Sequence, residues 1–234
     1  MVNTEKYNAI KQQLAETNST LVAVSKIKPA ADILQMYELG QRDFGENYVQ
    51  ELVEKQAQLP TDILWHFIGH LQSNKVKYIA PFVHLIHGVD SEKLVKEIDK
   101  QGKKYIASFV HLIQSVDSEK LLKEIDKQAA KNNRKINVLL QMHIAEEQTK
   151  FGFDKKELMN LDVNLYPNVH ITGLMGMATF TEDKEKAKRE FEQLQSFYKN
   201  FEDAKKIELN TLSMGMSDDY ELAINCGSNM IRIG

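Results

Sequence analysis

From residue 21 to the end of the chain, short apolar runs rich in β-branched residues alternate with longer amphipathic stretches. LVAV at 21–24 precedes a helical pattern over about 30–39, residues 42–44 precede another over 46–58, and ILWHFI at 63–68 precedes a third over 72–82. The alternation returns with apolar runs at 138–144, 169–175, 207–214 and 230–233, and with a strongly charged helical stretch over about 183–201. Strands that alternate with helices, without hairpin turns between them, must run parallel and be joined by crossover helices. Four prolines and eleven glycines in 234 residues are too few turn formers for a β-sandwich.

Two architectures satisfy that pattern, an open doubly wound sheet and a closed (β/α)8 barrel. Small or polar clusters end many of the strands: Ser25-Lys26, Gly45-Glu46-Asn47, Gly69-His70, Gly176, Gly215 and Arg232 to Gly234. A barrel distributes functional groups over many strand ends, whereas an open sheet gathers them at one switch point. No Gly-x-Gly-x-x-Gly follows the first strand, which disfavours a dinucleotide site. The pattern therefore predicts one α/β domain over residues 1–234, a TIM-type (β/α)8 barrel.

A tandem repeat interrupts this regularity. Residues 77–103 (KYIAPFVHLIHGVDSEKLVKEIDKQGK) and 104–130 (KYIASFVHLIQSVDSEKLLKEIDKQAA) are adjacent and nearly identical. They differ at Pro81/Ser108, His87/Gln114, Gly88/Ser115, Val95/Leu122, Gly102/Ala129 and Lys103/Ala130. Each copy carries one strand and one helix, opened by Ser91 or Ser118 as N-cap. With both copies the strand count is nine. Interior layers of an eight-stranded barrel draw on alternate strands, so a ninth strand breaks the alternation. The expectation is an eight-stranded ring with one copy displaced outward, or absorbed into an extended helix over 92–109.

The charge is close to balanced, thirty Lys+Arg against thirty-three Asp+Glu, which argues against a nucleic-acid partner. One cysteine, Cys226, excludes an internal disulfide framework and a thiolate metal cluster. There is no secretory signal pattern and no apolar run of about 18 residues, so a cytoplasmic protein without membrane contact is expected.

Lys26 ends the first apolar strand, either as an amine partly desolvated by a barrel wall or as a solvated loop lysine. Desolvation lowers the pKa of an amine and equips it to condense with an aldehyde. Asn47 follows the second strand, either as a hydrogen-bond partner for a ligand ring substituent or as an N-cap. His66 lies within a strand, as a ligand-polarising group or as a satisfied core residue. No His/Cys/Asp/Glu set has metal-ligand spacing. Ser213, Gly215 and Ser217 follow the penultimate strand, and Arg232 and Gly234 lie in the last one. In barrels these two strand ends commonly cradle a phosphate. Arg232, one of four arginines, sits in an apolar strand, placed to face a pyridine nitrogen. A phosphate cradle and an imine-forming lysine on one rim suggest pyridoxal 5′-phosphate (PLP).

Six motifs, in order, carry a family resemblance: Val24-Ser-Lys26-x-Lys28-Pro29, Phe44-Gly-Glu-Asn-Tyr-Val-Gln-Glu51, Trp65-His-Phe-Ile-Gly69, Leu71-Gln-Ser-Asn-Lys75, Ser213-Met-Gly-Met-Ser-Asp-Asp219 and Ile231-Arg-Ile-Gly234. They resemble the pyridoxal phosphate homeostasis protein family, over nearly the whole chain except one repeat copy. The resemblance implies a barrel similar to the N-terminal domain of alanine racemase, with PLP held as an imine on Lys26 and Arg232 at the pyridine nitrogen. It places the phosphate near Ser213 to Ser217 and the backbone after Arg232, and marks Lys150 as a secondary PLP-accepting lysine. The repeat is not a family feature. The family also continues past Arg-Ile-Gly into a threonine and a helical tail, so weaker PLP binding and lower stability are expected of a chain ending at Gly234.

The resemblance implies a carrier or buffer that holds PLP as a lysine aldimine, delivers it by transient contact with apoenzymes, and exists as a monomer or weak dimer. The alternatives are a PLP-dependent racemase or decarboxylase, which needs a second acid/base on the opposite cofactor face, and a Schiff-base aldolase.

Overall fold

A computed structural model describes residues 2–17, 19–89, 91–104, 112–147 and 151–234. Nine parallel strands close into one barrel in sequence order: β1 (Thr20–Val24), β2 (Asp43–Glu46), β3 (Leu64–Phe67), β4 (Val83–Ile86), β5 (Leu112–Val116), β6 (Ile136–Gln141), β7 (Val169–Met175), β8 (Thr211–Ser213) and β9 (Met230–Ile233). β9 pairs with β1 in register from Thr20↔Met230 to Ala23↔Ile233, which shuts the ring. The parallel α/β barrel expected from the alternation is present.

The helices are α1 (Thr4–Thr17), α2 (Ala30–Glu38), α3 (Val49–Gln56), α4 (Val76–Ile79), α5 (Glu92–Lys104), α6 (Glu119–Lys131), α7 (Lys155–Asn160), α8 (Lys184–Lys205) and α9 (Tyr220–Asn225). Their inward residues follow helical spacing. Tyr7, Ile10 and Leu14 of α1 are buried, as are Ala187, Phe191, Leu194 and Phe201 of α8. Asp183 caps α8 by accepting from the Lys186 N–H, and Asp154 forms a capping box with Glu157 on α7.

Ring size is where the expectation fails. Neither repeat copy is displaced from the barrel: the first supplies β4 and α5, the second β5 and α6. Both predicted caps form, Ser91 Oγ accepting from the Leu94 N–H and Ser118 Oγ from the Leu121 N–H. α5 ends at Lys104, and residues 105–111 lie outside the described ones. The physical reason is burial. Copy one buries Leu85, Ile86, Leu94 and Val95, and copy two buries Ile113, Val116, Leu121, Leu122 and Ile125. Each such side chain gains about 1.5–3 kcal/mol from leaving water, so expelling either copy would forfeit several such gains.

The seam between the copies is thin. β4 and β5 share one register pair, Ile86↔Ile113, against six pairs between β6 and β7. Ser115 strengthens it, with its hydroxyl donating to the His87 carbonyl and accepting from the Val89 N–H at 3.3 Å. The wider ring also leaves space. A cavity of about 280 Å³ opens at the amino-terminal end of the barrel and is lined from all nine strands, among them by Thr20, Asp43, His66, Asn137 and Thr172. Eight strands give an interior that side chains just fill; nine do not.

Candidate functional site

Lys26 follows β1 on a two-residue turn with Ile27. Ser25, just past the strand, is buried, and Lys26 stands in solvent, the second of the two settings its position allows. The cause is local: Ile27 adopts φ +64 and turns the chain outward, leaving its own side chain 78% exposed. A left-handed conformation costs a residue with a Cβ about 1–2 kcal/mol, so other contacts must hold the turn.

Those contacts come from β2 and α3. Lys55 Nζ donates to the Ser25 carbonyl at 2.7 Å, to Glu46 Oε1 at 2.7 Å and to Glu51 Oε1 at 2.6 Å. Glu51 Oε1 also accepts the Ile27 N–H at 2.6 Å, and the Ser25 hydroxyl donates to Glu46 Oε1 at 2.6 Å. All three ammonium hydrogens of Lys55 are thereby used. Glu46 is fully buried; that burial pushes its carboxyl above the usual range, with the bonds from Lys55 and Ser25 pulling it back. Its Oε2 has no partner.

β2 also delivers Asn47. The N-cap of α3 is Tyr48, without a side-chain bond, so Asn47 is not a cap. Its Oδ1 is shielded from solvent and unpartnered. Gly69 makes that placement sterically available, since a Cβ there would lie 2.4 Å from the Asn47 carbonyl oxygen and 2.8 Å from its Cα.

On the other side of β1, the ends of β8 and β9 are clasped together. The Arg232 N–H donates to the Gly215 carbonyl at 3.2 Å, with Gly215 at φ +101. The Gly234 N–H donates to Ser217 Oγ at 3.1 Å, and the Ser217 hydroxyl reaches the Gly234 carbonyl at 3.3 Å. A Cβ on Gly234 would stand 2.8 Å from Val24 Cβ, which places this clasp against the end of β1. Arg232 is partly buried, and its Nη2 is shielded and unpartnered. Burial draws its pKa down while the Asp219 charge opposes that shift. Lys26, Asn47, Gly215, Ser217, Arg232 and Gly234 therefore share one end of the barrel, carried on β8, β9, β1 and β2.

Two predicted site residues lie elsewhere. Ser213 is buried and donates to Gln114 Oε1 at 3.3 Å, turned into the barrel interior and away from the Ser217–Gly234 clasp. His66 is buried with both ring nitrogens engaged, Nε2 with Asp43 Oδ1 and Nδ1 with His87 Nε2, each at 3.0 Å. It lines the amino-terminal cavity. Lys150 lies outside the described residues. The sequence prediction also missed the linked set of Glu46, Glu51 and Lys55, of which Glu46 and Lys55 are buried and Glu51 half-buried. One signal was present: Lys55 stands three residues after the fully buried Leu52, on the inward face of α3.

The interior polar chain spans the two repeat copies. Burial, with the charges of His66 and Arg232 added, holds His87 well below the usual imidazole value, so it is neutral at pH 7. Toward the Asp43 carboxylate, His66 Nε2 must carry a hydrogen. The contact between His66 Nδ1 and His87 Nε2 places one hydrogen between the two rings, and His87 Nδ1 is shielded without a partner. Gln114 of β5 reaches Ser213 on β8 and Met230 on β9, which are not its ring neighbours, so its amide crosses the barrel axis. Among the described residues no group of three or more His, Cys, Asp or Glu is arranged to hold a metal ion, and no helix is long and apolar enough to cross a membrane.

Comparison with known proteins identifies the family and the fold. Residues 104–234 match the family model for the alanine racemase N-terminal domain. The pyridoxal phosphate homeostasis protein of Pasteurella multocida is 35% identical over 227 residues, covering 94% of this chain and 85% of the relative. The structure of PipY from Synechococcus elongatus PCC7942 without PLP superposes with a TM-score of 0.73 at 32% identity, covering 98% of this chain and 96% of PipY. The PLP-bound form of PipY gives 0.66 at 32% identity over 96% and 97%. Alanine racemase from Bartonella henselae, at 16% identity and a TM-score of 0.63 over 97% of this chain and 58% of the enzyme, shares the fold. On this evidence the chain belongs to the pyridoxal phosphate homeostasis protein family, built on the alanine racemase N-terminal-domain barrel.

Proposed function

We propose that this chain binds pyridoxal 5′-phosphate at the β8–β9–β1–β2 end of the barrel and carries or buffers it in the cytoplasm, without turning over a substrate. The observation that carries the reading is a pair of orphaned polar atoms, one on β9 and one just after β2, the two strands that flank β1. Arg232 Nη2 is a donor without an acceptor, and Asn47 Oδ1 an acceptor without a donor, both shielded from water. Leaving such groups unsatisfied costs about 1–3 kcal/mol each, which a ligand with matching groups recovers. A pyridine nitrogen accepts from Arg232, and a ring hydroxyl donates to Asn47.

PLP supplies an aldehyde, with which an amine condenses by losing one water. The protein's part is placement. Lys26 provides the amine, Arg232 keeps the ring nitrogen facing a positive charge and so disfavours its protonation, and Asn47 orients the ring. The clasp of Ser217 and Gly234, with Gly215 behind it, receives the phosphate. The exposure of Lys26 supports exchange with solvent and transient contact with apoenzymes over enclosure for catalysis. A racemase or decarboxylase needs a second acid or base on the far face of the ring.

The test is titration of the purified protein with PLP, followed by borohydride reduction and peptide mapping. Visible absorbance and a reduced adduct on Lys26 are expected. A colourless protein, or label confined to Lys28 or Lys150, refutes the assignment. Incubation of the loaded protein with L- or D-alanine is expected to leave optical rotation unchanged.

A further inference from the structure

Both peptide groups that flank Lys26 are tied to the same helix. The carbonyl of Ser25, in the peptide before Lys26, accepts from Lys55 Nζ at 2.7 Å. The N–H of Ile27, in the peptide after it, donates to Glu51 Oε1 at 2.6 Å. Glu51 and Lys55 are bonded to each other one helical turn apart, and Lys55 is anchored below by Glu46. Lys55 is 6% exposed and Glu46 is fully buried, so the Lys55 bonds to Ser25 and Glu46 lie largely out of reach of competing water, while the Ile27–Glu51 bond lies at the surface. The clamp also explains how an isoleucine remains at φ +64 with its side chain in solvent, since nothing in the packing of Ile27 itself holds it there.

From this geometry we infer that Lys55, with Glu51 and Glu46, is the positioning device for the Lys26 amine. It fixes the backbone on either side of Lys26 and touches no ligand. The inference rests on the assignment of Lys26 as the amine that captures PLP. A rigid base matters more for an exposed lysine than for a buried one, because no wall of side chains restricts its approach. Misplacement of a reacting group by about 1 Å costs as much as a hundredfold.

The test compares PLP titration and borohydride-fixed label on Lys26 in the wild type and four variants. Lys55→Met removes the clamp but leaves buried Glu46 unpaired. The double variant Lys55→Met/Glu46→Gln removes the clamp without that charge and guards against simple misfolding. Glu51→Gln keeps an acceptor for the Ile27 N–H. Leu52→Ala opens a cavity on the same helix and lowers stability without touching the turn. Well below every melting temperature, the double variant is expected to capture PLP roughly ten- to a hundredfold more weakly. Glu51→Gln is expected to fall between it and wild type, and Leu52→Ala to match wild type. Wild-type capture by the double variant overturns the inference, as does an equal loss in Leu52→Ala, which would reduce the clamp to general stability. Absence of any label in the wild type refutes the PLP reading itself, and the inference with it.

Discussion

Ile27→Gly should raise stability. Ile27 is the one β-branched residue among the described ones with positive φ, at +64. Relief of the left-handed strain is worth about 1–2 kcal/mol. Against it stands the extra freedom glycine gives the unfolded chain, about 0.5–1 kcal/mol. The isoleucine side chain is 78% exposed, so little apolar burial is lost, and the glycine N–H still donates to Glu51. The net gain is about 0.5–1 kcal/mol. For a chain of this size each kcal/mol moves the melting temperature by about 2–4 °C, which gives a rise of about 1–4 °C. Thermal unfolding followed by circular dichroism measures it, with Ile27→Asn expected to give part of the gain and Ile27→Val none. A lower melting temperature for the glycine variant would show that the turn stores no strain, and would remove one reason for the clamp on α3.

Glu46→Gln should flatten the dependence of stability on pH. Because the folded-state pKa of Glu46 is raised above 4.5, chiefly by burial, the native state binds more protons than the unfolded one in that interval. Its contribution is fully present below the unfolded pKa and is lost as pH rises through the folded one. Denaturant midpoints from about pH 4.5 upward to neutrality should therefore fall less in the variant than in wild type; an equal fall in both contradicts the assignment. Gly69→Ala should weaken PLP binding by about tenfold or more, because its Cβ, 2.4 Å from the Asn47 carbonyl oxygen, must push Asn47 off its position. Equal affinity in a PLP titration would remove Asn47 from the site. Gly173→Ala should cost about 3 kcal/mol or more, since its Cβ would stand 1.8 Å from the Thr211 carbonyl oxygen in the β7–β8 pairing. Urea denaturation reads that loss without any ligand present.

How far the sequence could be read depended on whether a feature is local. β7 was legible to the residue, 169–175, because a compact run of mostly apolar residues, buried or half-buried at six of its seven positions, leaves no other reading. β8 was read too long at 207–214 against Thr211–Ser213, because the apolar residues at 207 and 209 pack from the loop. The helical pattern over 72–82 proved to be a 3-10 turn, Ser73–Lys75, followed by the four-residue α4. Strand number was illegible for a different reason. Closure is a property of the whole ring, and two copies with the same apolar pattern have the same claim to a place in it. The site divided in the same way. The roles of Ser217 and Gly234 follow from where two strand ends meet, and their sequence neighbourhood shows it. The clamp on Lys26 joins β1, β2 and α3, and in sequence Lys55 reads as half of an ordinary surface pair with Glu51. For Lys26 the sequence left cover and solvent both open; the conformation of the next residue decides its exposure, and nothing in an isoleucine announces φ +64.

The position of the repeat explains how a barrel can gain a strand and keep its functional end. In ring order the candidate site occupies β8, β9, β1 and β2, while the added unit enters at the β4–β5 seam, across the barrel from the β9–β1 pairing. At the site end β9 and β1 share four consecutive pairs and β1 and β2 two, while β8 and β9 meet at one, Ser213↔Met230. Irregular registers lie farther round, at β3–β4, β5–β6 and β6–β7. Each strand contacts only its two ring neighbours through the backbone, so an insertion is absorbed mainly by the seams beside it. What reaches across is a side chain. Gln114, standing in copy two where copy one has His87, bonds Ser213 directly below the Gly215–Ser217 loop. The second copy thus touches the candidate-site end through one interior amide, and the backbone that carries Lys26, Asn47 and Arg232 stays in register.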